Sequence, residues 1–297
     1  MHIRTLATLL LHSLLIGLLS SPAIANSTTQ PKPTQYWGRI FWSGAAEPKH
    51  GFAVDLIQEI TSRLPEYQHH LQAMSISRGL TDLKQRDDLC MLALVQSAER
   101  DRSGYFVGLW PVLPPQLVIR KEDRDAIAGQ QSSVSLKELL QRKNLRSAII
   151  TERLFGPELA PLLQDGIASG QIKNLHTAGS NNNQLNMLIQ GRIDFTVDYL
   201  ESFQSTTDNQ PELSKKLLLI PITEAQTPRI SGIYCSRTAR GLEMIKRIDA
   251  IARDPQVIAN FQSIMDKYLP AEPRQAYRQW ISDYYQQRPQ AAPDYRQ

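Results

Sequence analysis

The run Cys90–Phe106, CMLALVQSAERDRSGYF, passes from six apolar residues into a turn holding Glu99, Arg100, Asp101 and Arg102. A short apolar run bounded by a polar turn reads as a buried strand. A core strand that ends in charges either surfaces into solvent or delivers a charged side chain to a ligand. Any of these four charges could be the one delivered. The other reading is an exposed Arg100 paired with Glu99 or Asp101, and the residues alone leave both open. Aromatic walls for such a site would come from Tyr36, Trp37, Phe41 and Trp42, or from Trp110 beyond the turn, although at least half of these belong in a core. Hydrolase chemistry is not indicated: there is no G-x-S-x-G elbow and no H-E-x-x-H motif.

The amino-terminal residues set the compartment. Residues 1–25 run from Arg4 through an apolar stretch, Leu6–Leu19, to Ala23-Ile24-Ala25. That is the order of a secretory signal peptide, and the apolar part falls short of the ~20 residues that span a bilayer. Cleavage after Ala25 and a periplasmic location are expected, with no cysteine near the site to accept a lipid. Cleavage removes Arg4 from the 33 basic residues and leaves 32 against 29 acidic ones, a net charge of +3. The charges are dispersed, so no nucleic-acid partner and no polybasic membrane patch are expected. The remaining 272 residues exceed what one core usually holds, and two domains are expected. In an oxidising compartment the two cysteines, Cys90 and Cys235, favour a disulfide, with two buried thiols as the alternative. Beyond the expected signal peptide, two cysteines and four scattered histidines (His50, His69, His70, His176) make no metal site, and no cofactor is expected.

The elements that must position Arg100 follow from the pattern of the chain. After a leader, YWGRIFW reads as a strand, and Phe52, Leu56, Ile57, Ile60 and Leu64 stand at helical spacing up to Pro65. The strand HHLQAMSIS, the helix LTDLKQR and the Cys90 strand complete a β-α-β-α-β order. From Ser135 the alternation starts again: SLKELLQR, RSAIIT, a helix about Pro157–Leu163, IKNLHTA, NNNQLNMLIQ and DFTVDY. Two strands, KLLLIPIT and RISGIYCS, and three helical stretches, Arg240–Ala252, Pro255–Tyr268 and Arg274–Gln287, close the chain. Alternation of this kind implies α/β layers with largely parallel strands, and ligands bind beyond the strands' carboxyl ends.

Taken together, these segments resemble the bacterial periplasmic solute-binding proteins of family 3, the polar amino acid-binding type. The family's T-x-E-R turn is matched by Ser97-Ala98-Glu99-Arg100, and its F-S-x-P-Y run by Tyr105-Phe106 and Trp110-Pro111 before the crossing strand QLVIRK. Its L-x-x-G-R-x-D signature stands here as MLIQGRIDFTVDY, and its return strand as SGIYCSRTARGLEMIKRI. The resemblance implies a type II-like periplasmic binding protein fold, two α/β lobes joined by two crossing strands. Lobe 1 would comprise 36–116 and 231–287, and lobe 2 with the hinge strands 117–230. The signal peptide would be 1–25, the leader 26–35 and a flexible tail 288–297.

The same resemblance implies a cleft that captures a small polar or carboxylate-bearing, amino acid-like ligand for an ABC transporter permease or a sensor protein, the chain being a monomer. Ligand contacts would come from Arg100, Ser97, Trp37, Trp42, Trp110 and Tyr199, and Cys90 and Cys235 would pair on neighbouring strands of lobe 1. Two departures bear on the ligand. Counted from Gly191-Arg192, the position where amino acid binders place an Asp falls on Tyr199, with Asp198 one residue earlier and so on the opposite strand face. The G-T-T that usually opens the first helix of lobe 2 is replaced by TERLFGPE. The alternative function is an enzyme on the same scaffold, such as a dehydratase of a cyclic carboxylic acid. It needs a titratable group facing the ligand; the nearest candidates, Glu152 and Glu201, read as surface carboxylates.

Overall fold

In a computed structural model the chain is described over residues 32–39, 51–175, 183–293 and 295. The expected signal peptide, the leader up to residue 31, Phe41 and Trp42 lie outside the described residues. Among the described residues two five-stranded sheets carry the fold. The first contains β1 (Thr34–Arg39), β2 (Gln68–Ala73), β3 (Leu89–Val95), β4 (Gly104–Val112) and β10 (Arg229–Ser236), in the order β2-β1-β3-β10-β4. The second contains β5 (Gln116–Arg120), β6 (Ser147–Ile149), β7 (Ile172–Asn174), β8 (Phe195–Asp198) and β9 (Leu217–Pro221), in the order β7-β6-β8-β5-β9. The chain crosses between sheets twice, from β4 to β5 and from β9 back to β10. This is the expected two-lobed α/β architecture. The sheets are mixed, because each crossing brings a strand in reversed: β10 runs antiparallel to β3 and β4, and β5 antiparallel to β8 and β9.

Helices α1 (Phe52–Thr61) and α2 (Ile76–Gln85) flank the first sheet, and α3 (Ala98–Asp101) is the short turn after β3. The second lobe holds α4 (Arg124–Ile127), α5 (Leu136–Leu139), α6 (Ala160–Ala168), α7 (Asn183–Ile189), α8 (Leu200–Asn209) and α9 (Pro211–Lys216). The chain closes with α10 (Ala239–Ala252), α11 (Pro255–Tyr268), α12 (Ala271–Ala276) and α13 (Arg278–Gln287). The helix α1 buries the face foreseen from its spacing, with Leu56, Ile57 and Ile60 against the core around Trp37, Leu92 and Ile233. Each such side chain contributes about 1.5–3 kcal/mol when fully buried. The start of α11 is set by Asp254, whose carboxylate accepts from the Gln256 and Val257 amides while Pro255 occupies the first turn.

Three elements differ from the sequence reading. Strand β4 occupies a stretch after the Arg turn to which the sequence reading assigned no element; pairing with β10 along its length holds its glycines and Pro111 extended. Helices α8 and α9 were not foreseen, because LESFQSTTDN has little apolar periodicity and its helix is secured by tertiary contacts of Leu200 and Phe203. Arg288, expected to open the flexible tail, is buried: its Nε donates to Gly108 O at 3.0 Å and its Nη2 to Asp249 Oδ1 at 2.7 Å. The long side chain thus pins the end of α13 to β4 and α10.

One backbone detail shapes the end of β3. Leu92 pairs with Ile233 and Leu94 with Gly232, leaving Ala93 as an extra residue with φ +58°. Such a bulge bends the strand and shifts the alternation of its side chains. Cys90 and Leu92 enter the core beneath α1 and α10, Leu89 and Met91 the core beneath α2, and beyond the bulge Leu94 joins the α2 side. Val95 then packs with the apolar cluster of the second lobe. The strand that carries the Arg turn is therefore re-aimed toward the cleft.

Candidate functional site

The turn after β3 is built from its own polar residues. Ser97 caps α3, its Oγ accepting from the Arg100 amide at 3.2 Å, and its own amide donates to Tyr234 Oη at 3.1 Å. Tyr234 on β10 in turn donates to Asp101 Oδ1 at 2.6 Å. Ser97 and Asp101 thus fasten the turn to the sheet, and this leaves Arg100 to face inward. Arg100 is only 3% exposed. Its Nη1 donates to Val95 O at 2.6 Å, and its Nη2 to the carbonyl of Glu152 in the other lobe. Burial lowers the guanidinium to about 10, so it stays charged at neutral pH. Arg102 on the same turn is exposed.

Arg100 lines a cavity of about 60 Å³ between the two lobes. At about 10–15 Å³ per water molecule, that holds a few waters. The first lobe contributes Phe52, Ile76, Ala93 and Trp110, and the second Arg153, Tyr199, Glu201 and Ser202. Trp110 on β4 meets the Phe52 ring edge-on, with centroids 5.6 Å apart. Tyr199, immediately after β8, stacks on Phe155 at 5.7 Å and donates its hydroxyl to Leu154 O at 2.6 Å. Burial holds the Tyr199 phenol well above its ordinary range, so it acts as a neutral donor. The lobes touch through Glu152, which takes Arg100 on its carbonyl and Ser77 Oγ on its carboxylate at 2.6 Å.

Of the residues singled out in the sequence, Arg100, Trp110 and Tyr199 converge on the cavity. Ser97 is not among the residues that line it and serves as a cap. Trp37 is corrected: it is 0% exposed, lies in the first-lobe core, and donates its indole N–H to His69 Nδ1 at 3.0 Å. Its place on β1, flanked by β2 and β3, puts it beneath α1 and away from the strand ends. Asp198 does not reach the cavity either. It forms a buried ion pair with Arg153 and accepts from Gln184 Nε2 at 3.0 Å and from the Tyr199 amide at 2.7 Å. Cys90 and Cys235 are directly opposed on β3 and β10 and joined by a disulfide.

The reading of Glu201 as a surface carboxylate is overturned. It stands in the first turn of α8, is 8% exposed, and lines the cavity. Its Oε1 accepts from the Leu113 amide at 3.2 Å, just before the first crossing to the second lobe. Among the described residues Oε2 has no hydrogen-bond partner, and burial pushes the carboxyl up to about 7. No sequence signal marks it, because an acidic residue in the first turn of a helix ordinarily complements the helix dipole. Among the described residues no group of three or more His, Cys, Asp or Glu side chains gathers to hold a metal, and no helix is long and apolar enough to cross a membrane.

No protein-family model and no curated protein matches the sequence. Solved structures do match in fold. An arginine-binding protein mutant from T. maritima aligns with a TM-score of 0.59 at 15% identity, over 79% of this chain and 94% of that one. A putative L-cystine ABC transporter protein from Listeria monocytogenes gives 0.58 at 18%, over 81% and 97%. A histidine kinase sensor domain described as similar to periplasmic binding proteins gives 0.61 at 13%, over 80% and 96%.

Proposed function

We propose that this chain, which has the two-lobed fold of the periplasmic solute-binding proteins, captures a small carboxylate-bearing, amino acid-like ligand between its lobes and presents it to a transporter permease or a sensor protein. The observation that carries the reading is Arg100: a buried, charged guanidinium held at the end of a bulged core strand, lining a cavity that faces the other lobe. Its present partners are two main-chain carbonyls, and a carboxylate is the stronger acceptor for the same donors. Trp110 and Phe52 supply an apolar wall beside it. The arginine, glutamine and cystine named for structural neighbours all carry a carboxylate, and these neighbours include both transport proteins and a sensor domain. Secretion to the periplasm as a monomer, after cleavage following Ala25, belongs to the same reading.

The test is a thermal-shift screen of the processed protein against amino acids and small carboxylates; a ligand at 100 times its Kd adds ~2.7 kcal/mol of stability. Arg100→Ala should abolish most of the response, since truncating one partner of a buried charge pair costs about 2–5 kcal/mol. Arg102→Ala should leave it intact. Equal effects from the two substitutions would reduce the turn to a charged surface loop.

One observation favours the enzyme reading: Glu201, raised to about 7 in a cavity, is placed as general acids and bases are. It requires that a bound carboxylate be consumed. Proton NMR of each screened ligand over a day with the protein separates the two, because a binding protein leaves every spectrum unchanged.

A further inference from the structure

Arg100 and Tyr199 line the cavity from opposite lobes, and one short segment of the second lobe holds them both. The stretch TERLFGPE opens with a single helical turn, Thr151–Arg153. Its Glu152 carbonyl accepts from Arg100 Nη2, and two residues on, the Leu154 carbonyl accepts from Tyr199 Oη at 2.6 Å. Two main-chain oxygens thus take the guanidinium and the phenol as the oxygens of a bound anion would. We propose that this segment, Thr151 to Phe155, is an internal occupant of the anion site: a strap that competes with a carboxylate for Arg100 and must leave it before the carboxylate binds. This rests on the binding reading above and adds a self-inhibiting contact to it.

The strap is fastened from outside the cavity. Ser77 on α2, exposed and not among the residues that line the cavity, donates its hydroxyl to Glu152 Oε1 at 2.6 Å across the lobes. Thr151 Oγ1 donates to Asn174 Oδ1 at 2.9 Å at the end of β7, and Phe155 stacks on Tyr199. The conformation held in this way is a costly one. Leu154 has φ +59°, a left-handed value that a leucine rarely takes, and such strain persists only where surrounding contacts impose it. Ala93 and Leu154 are the non-glycine residues with positive φ among the described residues, and they mark the two segments that hold Arg100, the bulge of β3 and the strap. A neutral carbonyl is a weaker acceptor for a guanidinium than a carboxylate is. It holds the site because it is tethered, which gives it a high effective concentration there. Such a competitor lowers the apparent affinity by the fraction of molecules in which the site is clear.

The experiment is isothermal titration calorimetry of the wild type and of Ser77→Ala with the twenty L-amino acids, acetate and succinate. Ser77→Ala removes a tether and leaves Arg100 and the cavity lining as they are, so every carboxylate that binds should bind about three- to tenfold more tightly. A carboxylate bound by Ser77→Ala alone would support the strap equally. Hydrogen exchange read by mass spectrometry gives the second measurement. The Arg153 and Leu154 amides donate within the turn, to Ile150 O and Thr151 O at 3.2 Å, and should exchange faster once a saturating carboxylate has taken Arg100. Weaker binding by Ser77→Ala would make the Ser77–Glu152 contact a clasp over the ligand, and unchanged binding would make it a surface contact without influence on the site. Slower or unchanged exchange on saturation would mean that the turn stays in place beside the ligand. Each of these results overturns the inference and leaves the carboxylate reading standing. If no carboxylate binds either protein, the binding reading itself falls, and this inference with it.

Discussion

Reducing the Cys90–Cys235 bond should destabilise the chain substantially without altering its native structure. The cysteines are 1% and 0% exposed and stand opposite each other on β3 and β10, the strands that bring the amino-terminal half of the first lobe against the returning chain. They are separated by 145 residues, a span that includes the whole second sheet. Closing a loop of that length removes about 5 kcal/mol of unfolded-state entropy as a ceiling. At about 2.1 cal/mol/K per residue, a chain of this size would lose up to about 9 °C in Tm. Because both sulfurs are sealed beneath α1 and α10, a reductant should not reach them until the first lobe opens. The assay is urea unfolding of the oxidised protein against the reduced, alkylated and refolded one, with Cys90→Ala/Cys235→Ala as control. The midpoint should fall in both, and thiol titration of the native protein should find no free sulfhydryl. Coincident unfolding curves would refute the loop argument, and rapid reduction under native conditions would refute the sealing.

Three further outcomes follow from the buried groups. Asp198→Asn should destabilise the second lobe by about 3–5 kcal/mol, measured by chemical denaturation, because it removes the carboxylate from a buried ion pair with Arg153. Gly232→Ala should lower stability by more than about 2 kcal/mol: a Cβ there would lie 1.9 Å from the Val107 carbonyl oxygen, and neither paired backbone can move without breaking the β4–β10 ladder. Glu201→Gln should stabilise the ligand-free protein above pH 7. The folded carboxyl binds its proton more tightly than the unfolded one, so the wild type loses stability as pH rises from about 4.5 to about 7, by about 3 kcal/mol at most, whereas the amide does not titrate. Denaturation at pH 4 and pH 8 should show the gap between the two proteins open only at the higher pH; a gap of equal size at both would mean that Glu201 does not titrate in this range.

The alternation of apolar runs and helical faces was enough to read two α/β layers, the apolar face of α1, the strand character of Leu89–Val95 and the return strand Arg229–Ser236, because each is a local pattern whose period sets its own structure. The Arg turn was legible for the same reason: Ser97 to Asp101 cap and close it from within five residues. The environment of each charge was not legible. The Ala93 bulge depends on the register of β3 against β10, which lie more than a hundred residues apart, and only that register turns the end of β3 toward the second lobe. Trp37 and Trp110 are chemically alike, and the sheet order alone puts one beneath α1 and the other in the cavity. Glu201 belongs to a polar stretch with no periodicity to mark a helix, and it is buried only because the crossing segment at Leu113 passes over it. Sequence carries periodicity and turn chemistry; which carboxylate loses its water is decided by segments that meet only when both sheets have formed.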